Sequence, residues 1–412
     1  MKINLICIGD ELLIGQVINT NASWIGQFLN QFGFNINCTF TIGDSHQEIY
    51  STLKIAFESA DLVITTGGLG PTRDDISKKA IADYFGLGMT FHQQTWDRIL
   101  DLFTKRNIPI SEQHREQCLM PDGAEVLENG MGTAPGLWLE KQGKHCIMLP
   151  GVPYEMQHLM ERHVRSGLIS KFQSDEYFEH TFHTVGTGET VIADHIQDFE
   201  DSLGDNTGIA YLPGTGQVRI RISQRGGLKV TFENNRDKLG ELIQQWTFGE
   251  NGESLESVVG KLLKENGLNL VLAESCTGGL ISHKITSIPG SSAYFKGAAI
   301  TYSNEHKMQV LGVKSETLKQ YGAVSEQTVT EMVRGALDHL EGDIAAAVSG
   351  IAGPDGGSEE KPVGTIWIAV GNKQQIKTIS FLYMKDRERN IQYAAVQALN
   401  MIRKFLIAVY LK

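Results

Sequence analysis

Two long stretches of this 412-residue chain alternate short runs of Val, Ile and Leu with amphipathic segments. The first stretch covers residues 1 to about 165, and the second begins near residue 254. Such alternation is typical of sheets that carry helices on both faces. Candidate strands in the first stretch are Ile3–Ile8, Asp61–Thr66 and His145–Leu149. The sequence therefore predicts the α/β fold class, with two α/β domains, the first of them a doubly wound sheet.

The segment between these stretches has a different pattern. Alternating runs at His180–Val185 and Gln217–Ser223 predict exposed strands, and a helix is predicted near Thr190–Leu203. A polar linker that contains glycine follows at residues 247–254. We therefore expect a small α+β module between the two α/β domains. The expected domains are residues 1–165, 166–248 and 254–412.

The last domain shows its own series of helix and strand signals. In chain order these are helix Leu255–Glu265, strands Leu268–Ala273 and Ala298–Tyr302, helix Glu326–Leu340, strand Ile344–Val348, a hairpin of Thr365–Val370 and Ile376–Tyr383, and a long final helix. In the first domain, the pattern Ser45-x-x-Glu48 predicts a capped helix start.

Composition excludes several classes of protein. The net charge of −11 disfavours nucleic-acid binding, which depends on a basic face. No apolar run approaches the length of about 18 residues that spans a bilayer, so no membrane association is expected. The five cysteines are scattered without a Cys-x-x-Cys pair, which argues against a disulfide framework and a structural zinc site. We expect a cytoplasmic protein.

A glycine-rich loop with two carboxylates follows the second predicted strand. In the segment Val63–Asp75, the glycines Gly67, Gly68 and Gly70 would let backbone N–H groups approach an anion closely. Asp74 and Asp75 would then hold Mg²⁺ or a similar hard cation that bridges to phosphate oxygens. The alternative is a plain βα turn in which Asp75 caps the next helix.

Other strand ends of the first domain carry similar polar, glycine-rich segments. Gly9–Leu13 follows the first strand, and Leu149–Met156 follows the third, with Asn129–Gly136 shortly before it. Open α/β sheets bind ligands at the carboxyl ends of their strands. Together these segments outline a ligand site in the first domain.

A serine lies on a strand-to-helix turn in the last domain. The strand Leu270–Ala273 leads into Glu274-Ser275-Cys276-Thr277-Gly278-Gly279, where Ser275 would be close to helix N–H donors. The candidate bases are His283, His306 and Lys307, and a lysine can serve if burial lowers its pKa. Three alternatives stay open: Ser275 as a helix cap, Lys307 as a solvated lysine, and Cys276 as the nucleophile.

Two further features of the last domain suit a phosphorylated substrate. The strand end Val348–Gly357 is rich in glycine and, like the serine turn, offers backbone donors for an oxyanion. Arg387, near the start of the final helix, is a candidate phosphate contact.

Over essentially its whole length the chain resembles the CinA family of competence/damage-inducible proteins. The matching runs in the first domain are Gly9–Leu13, Asn19–Ala22, Gly67–Asp75, Gly132–Gly136 and Pro150–Met156. Those in the last domain are Ala273–Gly279, Thr301–Lys307, Gly322–Ser325, Ser349–Gly357 and Glu360–Thr365.

The resemblance implies a fold and an activity for each part. The first domain is similar to molybdopterin-binding proteins of the MoaB and MogA type, and in this family it is associated with metal-dependent ADP-ribose pyrophosphatase activity. The middle segment resembles a KH-type module that helps to form a homodimer. The last domain resembles nicotinamide-nucleotide amidases, which deamidate nicotinamide mononucleotide without a cofactor through a Ser/Lys pair. The matching positions are Ser275 and Lys307, with Tyr302 and Asn304 shaping the pair.

The loops and the resemblance together give a set of candidate substrate-binding residues. They are Thr277, Gly278, Gly279, Ser349, Gly350, Ile351, Gly353 and Arg387 in the last domain, and Asp10, Asn19, Gly67, Gly68, Gly70, Thr72 and Glu155 in the first. The expected partners are small nucleotides and a second copy of the chain. Two alternative functions stay open: a first domain that binds a nucleotide or a molybdopterin-like ligand without chemistry, and a chain that acts as a competence or DNA-damage scaffold.

Overall fold

The computed structural model describes every residue except 71, 73–74, 108, 173–175, 384 and 412, and the side chains of 106, 112 and 113 are also outside its description. The chain divides into two compact units. The first contains residues 1–178 with 225–227, and the second contains residues 179–224 with 228–412. Among the described residues, no helix has the length and apolar character needed to cross a membrane.

The first unit is built around a six-stranded sheet in the order β2-β1-β3-β8-β7-β6. Its elements are β1 Ile3–Ile8, α1 Asp10–Leu13, α2 Thr20–Asn30, β2 Ile36–Ile42, α3 His46–Ser59, β3 Leu62–Thr66, α4 Ser77–Phe85, β4 Met89–Phe91, α5 Gln93–Arg106, α6 Glu112–Glu116, β5 Leu119–Pro121, β6 Glu125–Leu127, β7 Gly136–Lys141, β8 Lys144–Leu149, α7 Pro153–Leu159, a π-helical turn Met160–Val164 and α8 Arg165–Lys171.

Both faces of this sheet are covered by helices. All six residues of β1 are buried, and Leu5 packs into one apolar cluster while Ile6 packs into the cluster on the other face. Strands β1, β2, β3 and β8 are parallel, as the predicted doubly wound sheet requires. Leu168 of α8 belongs to the first of these clusters, so the first unit continues beyond residue 165.

The second unit begins with a small sheet of four strands in the order β10-β11-β9-β12. Its elements are β9 Tyr177–Val185, α9 Glu189–Asp201, β10 Thr207–Gly214, β11 Gln217–Arg225, α10 Lys229–Ile243 and β12 Thr247–Glu250. In β11, Val218, Ile220 and Ile222 are buried, whereas Arg219 and Arg221 alternate with them on the more exposed face. The α+β character predicted for this segment is confirmed.

The rest of the second unit contains a five-stranded sheet in the order β14-β13-β15-β16-β17. Its elements are α11 Leu255–Glu265, β13 Leu270–Glu274, α12 Leu280–Thr286, a 3₁₀ turn Ser291–Ala293, β14 Phe295–Ile300, α13 Asn304–Leu311, α14 Ser315–Tyr321, α15 Glu326–His339, β15 Ile344–Gly350, β16 Thr365–Gly371, β17 Ile376–Leu382 and α16 Arg387–Tyr410.

Helices also cover both faces of the five-stranded sheet. Leu270 and Leu272 pack into one cluster, and the alternate residues Val271 and Ala273 pack into the opposite one. Strands β13, β14 and β15 are parallel. The turns that follow these three strands therefore meet at one edge of the sheet, and this edge holds the serine turn.

One predicted cap forms only in part. Ser45 caps α3 by accepting a hydrogen bond from Glu48 N at 3.1 Å. The Glu48 carboxylate, however, accepts from Gly43 N at 3.1 Å, so the reciprocal contact of a capping box is replaced by a bond that fixes the preceding turn.

Candidate functional site

The backbone around Ser275 is tied to both neighbouring strands. Ser275 N–H donates to Val348 O at 3.0 Å, and Thr301 N–H donates to Glu274 O at 2.8 Å. Beyond the serine, Gly278 and Gly279 have φ angles of 58° and 101°, in the left-handed region that favours glycine. The chain thus turns sharply after Ser275 and enters α12.

Lys307 lies directly against Ser275. Its side chain is 1% exposed, and Nζ lies 3.0 Å from Ser275 Oγ and donates to Thr301 O at 2.7 Å. Both partners are neutral oxygen atoms. Burial lowers the pKa of Lys307, and the neighbouring Cys276 opposes this shift only in part. The environment therefore favours a neutral amine, whose lone pair can accept the Ser275 proton.

The structure corrects two of the alternatives considered for this pair. Lys307 is not a solvated helix residue, because the first turn of α13 directs it under the strand ends. Ser275 does not cap α12, because the capping position is Gly279, which has no side chain. The other candidate bases, His283 and His306, are exposed, and the Nδ1 of His306 contacts Ser303 Oγ at 3.2 Å.

Cys276 is less suited to the role of nucleophile than Ser275. Burial raises the pKa of its thiol to about 12, so that the reactive thiolate is scarce near neutral pH. Its Sγ faces the backbone of Gly350, where an added Cβ would lie 3.0 Å away. Cys276 therefore acts as a small buried side chain.

Arg387 and Tyr302 form the outer edge of the site. Both are exposed, and the guanidinium donates to Tyr302 Oη at 2.8 Å and to Gly353 O at 2.7 Å. Arg387 is also the first residue of α16, where a helix favours negative charge. Asn304, the first residue of α13, is exposed, and in the described part of the chain no hydrogen bond joins it to Ser275 or Lys307.

The end of β15 and the loop that follows it are held by hydrogen bonds. Ser349 Oγ donates to Ala323 O at 2.7 Å, and Ile351 N–H donates to Thr365 O at 2.9 Å. Closer to the serine, the buried hydroxyls of Thr277 and Thr301 have no hydrogen-bond partner among the described residues. Such hydroxyls are available to a ligand.

Two residues that position the site were not singled out from the sequence. The carboxylate of Glu274, which is 0% exposed, accepts hydrogen bonds from the start of α12. The amide of Asn390 donates to Ala352 O at 3.0 Å and to Lys385 O at 2.9 Å, and so connects α16 to the loop after β15. The sequence signal for Glu274 was an acidic residue at the end of an apolar strand, directly before the candidate nucleophile.

In the first unit, the glycine-rich loop follows β3 as predicted. Gly67 and Gly68 have φ angles of 111° and 66°, and a Cβ on Gly67 would lie 2.1 Å from Ile8 O. Helix α4 begins only at Ser77 and has no side-chain cap, so Asp75 is not its N-cap. Instead Asp75 Oδ2 accepts from Thr72 N at 2.8 Å and from Thr72 Oγ1 at 2.5 Å. Asp74 lies outside the described residues.

Several buried polar atoms without a described partner surround this loop. They are Asn21 Oδ1, Thr65 Oγ1, Ser77 Oγ and Gln117 Oε1. The amide nitrogens of Asn21 and Gln117 do have partners near the loop. Asn21 Nδ2 donates to Thr66 Oγ1 at 3.1 Å, and Gln117 Nε2 donates to Leu69 O at 3.3 Å. Buried atoms of this kind normally have a partner, so their concentration here indicates a ligand site.

The remaining candidates of the first unit have structural contacts. Asp10 and Asp44 exchange bonds between backbone N–H and carboxylate, at 3.0 and 3.3 Å. Asn19 caps α2 by accepting from Ala22 N at 3.0 Å. Glu155 is buried and accepts from Asn129 Nδ2 at 2.6 Å. Gly70 lies against Asp75, since a Cβ there would be 2.6 Å from Oδ2.

Carboxylates are concentrated near the loop. Burial raises the pKa of Asp44, and the negative charges of Asp10, Glu11 and Asp75 add to the increase. Across the described residues, no group of three or more His, Cys, Asp or Glu could hold a metal ion. Mg²⁺ usually takes one or two protein carboxylates and completes its shell with water and substrate phosphates, so a magnesium ion that binds together with a nucleotide would need no larger group than Asp75 and one neighbouring carboxylate.

Comparison with known proteins assigns each part of the chain to a family. Residues 4–169 match the model of a probable molybdopterin binding domain, residues 179–247 match the KH domain of the damage-inducible protein CinA, and residues 252–406 match the CinA C-terminal domain. The first unit therefore has a molybdopterin-binding-like domain, as predicted.

Full-length relatives show the same similarity. A CinA-like protein of Chloroherpeton thalassium is 42% identical, with 99% of this chain and 100% of the relative covered. A putative competence-damage inducible protein of Caldicellulosiruptor bescii is 40% identical, with the same coverage of both chains. The solved structure of the competence damage-inducible protein A from Klebsiella pneumoniae is 37% identical over 38% of this chain and 96% of that one, with a TM-score of 0.37. By its full-length relatives and its three matched domains, the chain belongs to the CinA family.

Proposed function

We propose that the last domain is a Ser/Lys amidohydrolase that converts nicotinamide mononucleotide to nicotinate mononucleotide and ammonia. The observation that carries this proposal is the contact between Lys307 Nζ and Ser275 Oγ at 3.0 Å, at a lysine that is 1% exposed and has neutral partners. A nucleophile needs a base within hydrogen-bond reach, and a lysine acts as that base only when it is neutral.

The reaction then runs through a covalent ester. Neutral Lys307 takes the hydroxyl proton as Ser275 Oγ attacks the carboxamide carbon, which gives a tetrahedral intermediate. The C–N bond breaks as Lys307 returns the proton to the leaving nitrogen, and ammonia departs. Water next attacks the ester, Lys307 takes its proton, and nicotinate mononucleotide leaves when that proton returns to Ser275 Oγ. Backbone N–H groups of the serine turn or of the loop Gly350–Gly353 stabilise the oxyanion.

The outer edge of the site suits the phosphate of the substrate. Arg387 combines a guanidinium with the N-terminus of a 24-residue helix, and both favour an anion. The guanidinium is oriented by Gly353 O and Tyr302 Oη. Gly278 has open space around its Cβ position, which would accommodate the ring beside Ser275.

The test is to incubate the purified full chain with nicotinamide mononucleotide and to measure both ammonia and nicotinate mononucleotide. The wild type is expected to release them in equal amounts, and Ser275→Ala is expected to lose several orders of magnitude in rate. The matched control is Ser287→Ala, which removes an exposed hydroxyl beyond the end of α12. Near-normal ammonia release by Ser275→Ala would refute the assignment of the nucleophile.

For the first domain we propose metal-dependent cleavage of ADP-ribose to AMP and ribose 5-phosphate. The support is the concentration of unpartnered polar atoms and carboxylates around the loop Gly67–Asp75. Asp75, with Asp74, would hold a divalent cation, which supplies positive charge to the phosphate oxygens. Gly68 and Gly70 would offer backbone N–H groups to the diphosphate, whereas the Gly67 N–H already donates to Leu149 O at 3.0 Å. Thr72 orients Asp75.

The products decide between this activity and the two alternatives. Formation of AMP from ADP-ribose, lost on addition of a chelator, supports the proposal. Saturable binding of the nucleotide without product would instead favour a binding module. If neither domain shows turnover or binding, the remaining alternative is a scaffold in competence or DNA damage, which a pull-down with the full chain would examine.

A further inference from the structure

We propose that Glu274 is a positioning residue that holds the serine turn so that the N–H groups of Cys276 and Thr277 form the oxyanion hole. This inference rests on the proposed amidase function. Glu274 is the last residue of β13, immediately precedes Ser275 and is 0% exposed. A carboxylate in such a place needs several hydrogen bonds to offset the loss of water.

The carboxylate obtains these bonds from the beginning of α12. Oε2 accepts from Gly279 N at 3.0 Å and from Ile281 N at 3.2 Å, and Oε1 accepts from Ser282 N at 2.8 Å and from Ser282 Oγ at 2.5 Å. The first N–H groups of a helix lack partners inside the helix, and Glu274 supplies them. Its negative charge also lies at the positive end of the helix dipole.

This arrangement determines which N–H groups are available to a substrate. Gly279, Ile281 and Ser282 are bound to Glu274, while Gly278 N–H donates to Ser275 O at 3.1 Å and Leu280 N–H donates to Thr277 O at 3.0 Å. Among the described residues, no backbone acceptor contacts the N–H of Cys276 or of Thr277, and the Cys276 N–H faces only the Sγ of its own side chain. These two N–H groups directly follow the nucleophile, and the N–H of the residue after the nucleophile is a common oxyanion donor on such turns.

The loop after β15 is the other source of donors considered for this site. Its Ile351 N–H is already bound to Thr365 O at 2.9 Å. The N–H groups of Ala352 and Gly353 also have no described backbone acceptor, so the choice rests on position in the chain. Because Cys276 and Thr277 directly follow the nucleophile, we place the oxyanion at the serine turn, and Glu274 then has a role beyond stabilising α12. A residue that only stabilised the helix would affect unfolding but not the rate of the folded enzyme.

The test compares the full-length wild type with Glu274→Gln, using nicotinamide mononucleotide as substrate. Glutamine has a similar shape, but its NH₂ group is a donor and would face the N–H groups of α12. We expect kcat to fall by about 100-fold, the loss typical of a damaged oxyanion hole, with KM changed by less than about threefold. The pH at which kcat/KM rises should stay unchanged, because Lys307 remains the base.

Glu331→Gln is the matched control. Glu331 also accepts hydrogen bonds at the start of a helix, from Lys314 N and Thr317 Oγ1, each at 2.8 Å, but that helix is α14. The same substitution there should leave kcat unchanged. If Glu274→Gln does not fold, the comparison uses Glu274→Asp. The shorter aspartate keeps the carboxylate but cannot reach all of the N–H groups of Gly279, Ile281 and Ser282. A folded Glu274 variant with wild-type kcat would overturn the inference.

A second measurement separates this inference from the proposed function. Phenylmethylsulfonyl fluoride modifies activated serines, and the intact mass of the protein reports the rate at Ser275, with Ser275→Ala as blank. We expect the rate to be at least about tenfold lower in Glu274→Gln, because the sulfonyl oxygens use the same N–H donors. If the wild type releases no ammonia, the proposed function fails. The rate at which Ser275 is modified would then still test the positioning role of Glu274. Equal rates in the two proteins would overturn its role.

Discussion

Among single residues, Lys307 matters most, because the proposed amidase depends on the protonation state of its amine. A buried lysine is usually paired with a carboxylate, which would keep it charged. Here the partners are Ser275 Oγ and Thr301 O, and burial lowers the pKa of the amine. The same burial raises the pKa of the neighbouring Cys276 thiol to about 12. The environment thus activates the serine through the lysine and leaves the thiol inert.

This environment predicts the pH dependence of the amidase. Below its lowered pKa, Lys307 is protonated and cannot take the serine proton, so kcat/KM should rise as pH increases through that pKa, at a midpoint below 10.5. The unfolded chain binds more protons across this window, so the lysine also makes stability rise with pH there. The measurements are a pH–rate profile and denaturation at several pH values. A midpoint at the ordinary lysine value would contradict the account, as would the same rise in Lys307→Met.

At the scale of elements, the central feature is the junction of β13 and α12. The chain passes from the last strand residue, Glu274, to the first helical residue, Leu280, through two glycines with positive φ. A Cβ on Gly279 would lie 3.0 Å from Ile300 Cδ1, at the end of β14. This junction therefore sets the direction of the Cys276 and Thr277 N–H groups as well as the start of the helix.

Replacing Gly279 with alanine tests this junction. The left-handed backbone costs about 1–2 kcal/mol for a residue with a Cβ, and we expect kcat to fall by more than about tenfold as the turn shifts. Gly290→Ala is the control, because Gly290 also has positive φ, 82°, but has open space around its Cβ position. Gly290→Ala should lose only the backbone cost in thermal melts and Gly279→Ala at least as much, because its Cβ also meets Ile300, and only Gly279→Ala should lose activity. An equal effect on kcat in both would contradict this interpretation.

The elements were more predictable from the sequence than the contacts between them. Apolar runs gave the strands, and helix α11 begins and ends at the predicted residues Leu255 and Glu265, because local patterns determine them. The burial of Lys307 was not predictable from pattern, since it depends on strands far apart in the chain. The same is true of Asp75, which contacts Thr72 instead of capping α4. Among the three candidate bases, only the resemblance to the family singled out Lys307 as the partner of Ser275.

At the scale of the whole molecule, the chain contains two candidate sites in two compact units. Each site lies at the carboxyl ends of parallel strands, with glycine-rich turns and buried polar atoms that lack described partners. The two proposed reactions differ in what they need. The proposed amidase needs no metal, because Ser275 and Lys307 supply its nucleophile and its base, whereas the proposed cleavage of ADP-ribose needs a divalent cation near Asp75.

Removal of metal should therefore separate the two activities. Excess EDTA is expected to abolish AMP formation from ADP-ribose and to leave ammonia release from nicotinamide mononucleotide unchanged. Both products can be measured in the same sample, and restoring Mg²⁺ should recover AMP formation. Unchanged AMP formation in EDTA would refute the metal dependence. Loss of ammonia release would refute the proposal that the amidase needs no cofactor.

A double-mutant cycle of Ser275→Ala and Lys307→Met, measured as kcat/KM for nicotinamide mononucleotide, tests whether the serine and the lysine work as a pair. Lys319→Met, at an exposed lysine of α14, is the control for the lysine substitution. If the two residues act as one unit, each single variant should lose about 1,000-fold or more, and the double variant should lose no more than the worse of the two. Losses that multiply in the double variant, or a single variant with near-normal activity, would contradict the account.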